Sequence, residues 1–203
     1  MDCIGIIAEY NPFHSGHRHH LRELRRVFGP DCAIVCVMSG NWVQRGDAAL
    51  VDKWIRARLA MQGGVDLVLE LPTLWAVSSA ESFARGGVFL LSATGVVDVL
   101  SFGSEAGNLR SLQQAAEVLD GLPWRLALRE GLEKGLSFPA ARQKAAEAQL
   151  GPVADCLRTP NNSLGVEYLR ALRHWHSDIV PHTIPRLGAG HDVQTQDCHV
   201  SAS

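Results

Sequence analysis

From Cys3 to Asp120 the chain alternates short apolar runs with stretches of helical period. Cys3–Ala8 (CIGIIA), Ala33–Met38 (AIVCVM), Leu67–Leu71 (LVLEL) and Val97–Phe102 (VDVLSF) are apolar runs bounded by turn residues, and they read as strands. Leu21, Leu24 and Phe28 recur at helical spacing and predict a helix over His17–Phe28, which Gly29, Pro30 and Asp31 end. A second helix is predicted near Val51–Gly63, with Trp54, Ile55 and Leu59 facing inward; Trp42, Trp54 and Trp75 read as core residues. Pro72 stops the third strand. Further helices are predicted over Ser79–Thr94 and, as an amphipathic segment, over Asn108–Asp120. The strands are apolar throughout rather than alternating, as expected when both faces are covered. Four strand–helix repeats of this kind predict an α/β fold built on a doubly wound parallel sheet.

The texture changes after Leu122. The stretch to Leu150 has no strand signal and carries alanine and charge at helical spacing. Residues 122–160 are therefore expected as a helical insertion within a single domain spanning 1–203. Its cations (Arg125, Arg129, Lys134, Arg142 and Lys144) read as a solvated face. A helix over Asn162–His176 follows, and Asp178–Ile184 is predicted as a fifth strand despite Pro181. The segment from Gly188 to Ser203 reads as loop.

Composition narrows the field without choosing within it. Hydrophobic residues make up 46% of 203 and charged residues 20%, which supports a sizeable core. A net charge of -2 advertises no global affinity for nucleic acid. No apolar run approaches the roughly 18 residues needed to span a membrane, and the N-terminus has neither the basic leader nor the small-residue cleavage site of a signal peptide. No membrane partner is expected. The five cysteines, Cys3, Cys32, Cys36, Cys156 and Cys198, are odd in number, scattered, and form no C-x-x-C pair. A reducing cytoplasm is the simplest location.

The candidate chemistry sits between the first strand and the first helix, in Glu9–His20 (EYNPFHSGHRHH). Ligands of open α/β sheets bind beyond the carboxyl ends of the strands. A helix starting there presents free N–H groups and the positive end of its dipole, which suits a phosphate. Gly16 permits close backbone approach, and His14 and His17 flank it as H-x-G-H, placed to donate hydrogen bonds to an α-phosphate as its charge grows during in-line attack. Two other readings stand beside this one: a solvated helix start, or a metal site in which His14 and His17 are joined by Glu9. His19 and His20 read as surface or supporting residues. Three further stretches point to the same end of the sheet: the polar loop Ser39–Leu50 with Gln44 and Arg45, Glu70 at the end of the third strand, and Phe102–Glu105 (FGSE) after the fourth. Gly103 there allows an adenine or ribose to pack on the backbone, while Glu70 and Glu105 read equally as capping or ion-pair residues.

The longer motifs carry a resemblance. GIIAEYNPFHSGH, MSGNWVQRGDAALVDKWIRARLA, VDLVLELP, SAESFARGGVFLL, FGSE, PNNSLGVEYLRAL and IPRLGAGHD run in order along nearly the whole chain. Together they resemble the bacterial tRNA(Met) cytidine acetate ligase family, of the H-x-G-H nucleotidylyltransferase superfamily with its Rossmann-like fold. The resemblance implies that ATP, with Mg2+, activates acetate as acetyl-adenylate with release of pyrophosphate. The acetyl group then passes to N4 of the wobble cytidine of elongator tRNA(Met). It implies catalytic roles for His14, His17 and Arg186. It implies nucleotide contacts from Ile7, Ala8, Glu9, Tyr10, Asn11 and Pro12, continuing through Phe13, His14, Ser15, Gly16, His17 and His20. Gly103, Asn162 (or its neighbour Asn161) and Arg186 complete that set. Acetate is already an anion, so no general base is required. In the family, Ser201–Ser203 corresponds to the start of a serine-rich motif that leads into an arginine-bearing helix and a C-terminal tRNA-binding region, and that region is expected to be absent here. The alternatives are another adenylyltransferase of the same superfamily, acting on a phosphate ester or a carboxylate such as pantoate, a nucleotide-binding domain without full activity, and a metal-binding module.

Overall fold

The computed structural model describes residues 2–44 and 46–186. Arg45, Cys198 and Ser201–Ser203 lie outside the described residues. Five parallel strands, β1 (Cys3–Ala8), β2 (Ala33–Ser39), β3 (Leu67–Leu71), β4 (Val99–Ser104) and β5 (Val180–Pro185), form one sheet in the order β3-β2-β1-β4-β5. Between them run the helices α1 (Ser15–Phe28), α2 (Lys53–Gln62), the one-turn α3 (Thr73–Ala76), α4 (Ala80–Ala93), α5 (Leu109–Asp120), α6 (Leu122–Glu133), α7 (Phe138–Leu150) and α8 (Pro160–His174). The strand order reverses direction between β1 and β4, which is where an open parallel sheet opens a ligand crevice.

Alternation along each central strand feeds two cores. Ile4 and Ile6 of β1 join Ile34, Cys36 and Met38 of β2 against Leu21 and Leu24 of α1 and Ala60 of α2. Ile7, Val35 and Val37 point the other way, toward Phe83, Val88 and Leu91 of α4 and the apolar faces of α5 and α8. α4 approaches closely because Gly87 lies over Ile7, where a methyl group would stand 2.7 Å from that side chain. α6, α7 and the 3-10 turn Gly151–Arg158 add Trp124, Ala145, Ala146, Ala154 and Leu157 to this second core.

Several boundaries and faces differ from the sequence reading. β4 starts two residues later than expected, because Asp98 turns out of the strand to accept the Cys3 N–H at 2.8 Å. Pro181 fits in β5 because β5 is an edge strand bonded only to β4. α2 turns a different face inward from the one its apolar spacing predicts. Trp54, Ile55 and Leu59 are 71%, 48% and 36% exposed, and the buried residues are Arg56 and Ala60. Asp52 caps the helix by accepting the Trp54 N–H at 2.7 Å. Trp42 is likewise exposed rather than core. Arg142, expected on a solvated face, turns inward to the buried Glu167 at 3.4 Å, whereas Arg129 and Lys134 form exposed pairs with Glu133 and Glu130. Among the described residues no helix is long and apolar enough to cross a membrane.

Candidate active site

The chain leaves β1 through a turn held by aromatic packing. Tyr10 adopts φ 48°, a left-handed conformation that side chains other than glycine's seldom take. Its buried ring packs edge-on to Phe13 and His17, with centroids 5.1 and 4.7 Å away. Phe13 lies over Gly63 at the end of α2, where any side chain would collide with its ring.

α1 then begins on its histidines. His14 is the N-cap, and its Nδ1 accepts the Gly16 N–H at 3.1 Å. Three residues on, the Nδ1 of His17 accepts the His14 N–H at 3.2 Å. The arrangement is a reciprocal capping box with imidazoles in the places usually taken by serine and glutamate. A ring nitrogen that accepts a hydrogen bond carries no proton, so each neutral ring keeps its proton on Nε2. The two rings stack with centroids 3.6 Å apart. Burial pushes His17 down to about 3, helped by the charges of His14 and Arg186. His14 is lowered by burial and then by Arg186. Both rings are therefore neutral near pH 7, and each offers one Nε2–H donor at the N-terminal end of α1. A Cβ on Gly16 would stand 3.0 Å from the His14 ring, so the glycine leaves room for that ring.

β4, β5 and α8 supply the opposite wall. Arg186 follows β5 and its backbone N–H donates to the Ser104 carbonyl at 3.0 Å. Its side chain lies over Gly103, where a Cβ would stand 3.2 Å from Cγ, and its Nη1 donates to the Asn161 side-chain oxygen at 3.1 Å. Glu105 binds the start of α8 by accepting the Asn161 and Asn162 N–H groups at 3.3 and 2.8 Å and the Asn161 amide at 2.6 Å. Burial opposes ionisation of this carboxyl, yet those hydrogen bonds hold it below the usual range. Glu105 thus takes the capping role that the sequence left open, and Glu70 forms an ion pair with Lys53 at 2.6 Å.

The residues singled out from sequence divide into two groups. His14, His17, Gly103 and Arg186 gather at one mouth. Of the two asparagines, Asn161 bonds Arg186, whereas Asn162 is buried and accepts the Ala106 N–H at 3.0 Å. Glu9 and Asn11 use a side-chain oxygen each to hold the loop after β2, accepting from Gln44 N–H and Leu50 N–H, both at 2.7 Å. His20 turns beneath α1 to Ser101 Oγ at 2.8 Å, and Ser101 lies 3.3 Å from His182 Nδ1; burial pushes His20 down to about 4. Ile7 is in the core. The Glu105 staple and the Asn161–Arg186 bond had no local sequence signal, since each joins segments far apart in the chain. Among the described residues no group of three His, Cys, Asp or Glu side chains comes together as a metal site.

A reversed-order parallel sheet with a histidine-capped helix at its crevice is the architecture of a nucleotidyl transferase. The family model for HIGH nucleotidyl transferases matches residues 1–203, and the chain belongs to that family. Within it, the chain is similar to tRNA(Met) cytidine acetate ligases: 43% identical to that of Acetivibrio thermocellus over all of this chain and 50% of the relative, and 49% identical to that of Caldanaerobacter subterraneus subsp. tengcongensis over 93% of this chain and 48% of the relative. The crystal structure of Thermotoga maritima TmcAL bound with alpha-thio ATP superimposes with a TM-score of 0.87 at 43% identity, covering 93% of this chain and 47% of that one. The chain spans about half the length of the curated relatives it matches.

Proposed function

We propose that this chain is the nucleotide-activating part of a tRNA(Met) cytidine acetate ligase. An acetate oxygen attacks the α-phosphorus of ATP, an acyl–O–P bond forms, the bond to the bridging oxygen breaks, and pyrophosphate leaves. Charge grows on the α-phosphoryl oxygens and on the departing bridge. The Nε2–H groups of His14 and His17 donate to that charge, and Arg186 offsets it. Acetate arrives as an anion, so the site needs donors and no base. In the second step the cytidine N4 amine attacks the acetyl carbonyl, AMP departs with the bonding electron pair, and the amine gives up a proton. Asn161 holds Arg186 in place and Gly103 keeps room for it. Mg2+, arriving with ATP, would supply charge neutralisation to the triphosphate; among the described residues no cluster of His, Cys, Asp or Glu is gathered to hold it by itself. The four free cysteines among the described residues and the RNA substrate fit a cytoplasmic location.

The reading rests on one observation: main-chain N–H groups occupy both Nδ1 atoms, which leaves two neutral donors at a helix N-terminus. Acid-dependent ATP–pyrophosphate exchange with Mg2+ tests it, comparing acetate, propionate, pantoate and no acid. Exchange with acetate is expected, falling about 10²- to 10³-fold in His17→Ala. Exchange with pantoate instead would assign a different adenylyl acceptor. Nucleotide binding without exchange for any acid would leave a nucleotide-binding domain that does not activate acetate.

A further inference from the structure

The largest fully buried side chain among the described residues is an arginine, Arg56 in the second turn of α2. Its hydrogen bonds all go to main-chain carbonyls. Nη1 donates to Glu9 at 2.5 Å, Nε to Val51 at 3.2 Å, and Nη2 to Gly40. Among the described residues no carboxylate lies within ion-pair distance of it. Burial lowers its basicity against the opposing pull of Glu9, Asp52 and Glu70. The three acceptors lie where the chain leaves β1, where it leaves β2, and just before α2. One planar guanidinium therefore ties together three backbone segments at the carboxyl edge of the sheet.

An interior cation without a counter-ion is a poor way to fill space, since a well-packed apolar side chain usually does as well or better. The fork geometry explains its use, because a lysine ammonium cannot reach three diverging carbonyls in one plane. The segments it joins are those whose other links come from the reactive turn: Glu9 to Gln44 and Asn11 to Leu50. We propose that Arg56 is a positioning residue for adenylate formation, fixing the Glu9–His17 turn and the 40–51 loop so that the two histidine donors hold their geometry. The inference rests on the adenylate-forming reading for its kinetic consequence only.

The test compares Arg56→Lys and Arg56→Ala with the parent protein, and reads exchange kinetics alongside nitrogen NMR of the histidines. Arg56→Lys is expected to keep the sheet's amide protection, lose about 10²-fold in kcat, and change the KM for ATP far less. Its His17 should titrate closer to an ordinary imidazole as the Nδ1 bond to His14 N–H loosens. In Arg56→Ala, millimolar guanidinium should restore at least about tenfold of the lost rate, and methylammonium none. Unchanged kcat and unchanged histidine signals in Arg56→Lys would overturn the proposal, as would loss of amide protection across β1 and β2, which would make Arg56 part of the core alone. If the parent shows no exchange, the adenylate reading fails, while the histidine signals still decide whether Arg56 positions the turn.

Discussion

His14 and His17 spend their Nδ1 lone pairs on the main chain, and this ties chemistry and stability to the same protons. An ordinary imidazole titrates near 6.5, whereas His17 is held near 3 and His20 near 4 by burial. Between those values the unfolded chain binds protons that the folded chain refuses. Their contribution is intact above pH 6.5 and is lost progressively as the pH falls toward 4 and then 3. At pH 5 each buried ring should lower the unfolding free energy by about 2 kcal/mol relative to pH 7.5. Urea titrations at the two pH values measure this, and His20→Asn should shrink the difference by about half. A difference unaffected by that variant would mean that the carboxylates govern the acid limb instead.

At the scale of elements, α2 teaches the most. Its apolar periodicity points to Trp54, Ile55 and Leu59, yet the helix buries Arg56 and Ala60. Pattern reading assumes that the core takes the apolar face, and here a polar tie to three carbonyls decided the rotation. Elsewhere the same reasoning held because burial on both faces leaves strands with little choice: β1, β2 and β3 begin where their apolar runs begin. The histidine turn was legible because a strand, a glycine and a helix start are local signals. The Asn161–Arg186 bond was not, since no spacing rule links the first turn of α8 to the residue after β5. Trp54→Ala should change the unfolding free energy by less than about 0.5 kcal/mol. Leu24→Ala, at a fully buried position on α1, should cost about 3 kcal/mol. Chemical denaturation of the two variants checks the assignment, and a large loss in Trp54→Ala would contradict the exposed face.

Across the whole molecule, charge pairing sorts by place. α8 carries the buried Glu167, which takes Arg170 at 2.7 Å and Arg142 of α7 at 3.4 Å, while Arg170 and Arg173 reach Asp120 at the end of α5. This network fastens α6 and α7, through α7, to the sheet-bearing body. Burial holds the Glu167 carboxyl above its usual range against the pull of both arginines. Glu167→Ala would strand the largely buried Arg142 and leave Arg170 with Asp120 alone, and should cost about 3 kcal/mol. Calorimetry checks this, and a shift within error would show that water replaces the carboxylate without loss.

β5 pairs only with β4, and it is the last strand among the described residues. A chain under synthesis emerges from its N-terminus and folds as it lengthens. The histidine turn, its aromatic packing and four of the five strands can be in place while β5 is still in the ribosome. Through that interval the donors stand ready with no arginine opposite them. On the proposed function, the arginine faces the histidine donors only once β5 has docked along β4 and brought Arg186 over Gly103, so the order of the strands along the chain sets the order in which the site is assembled.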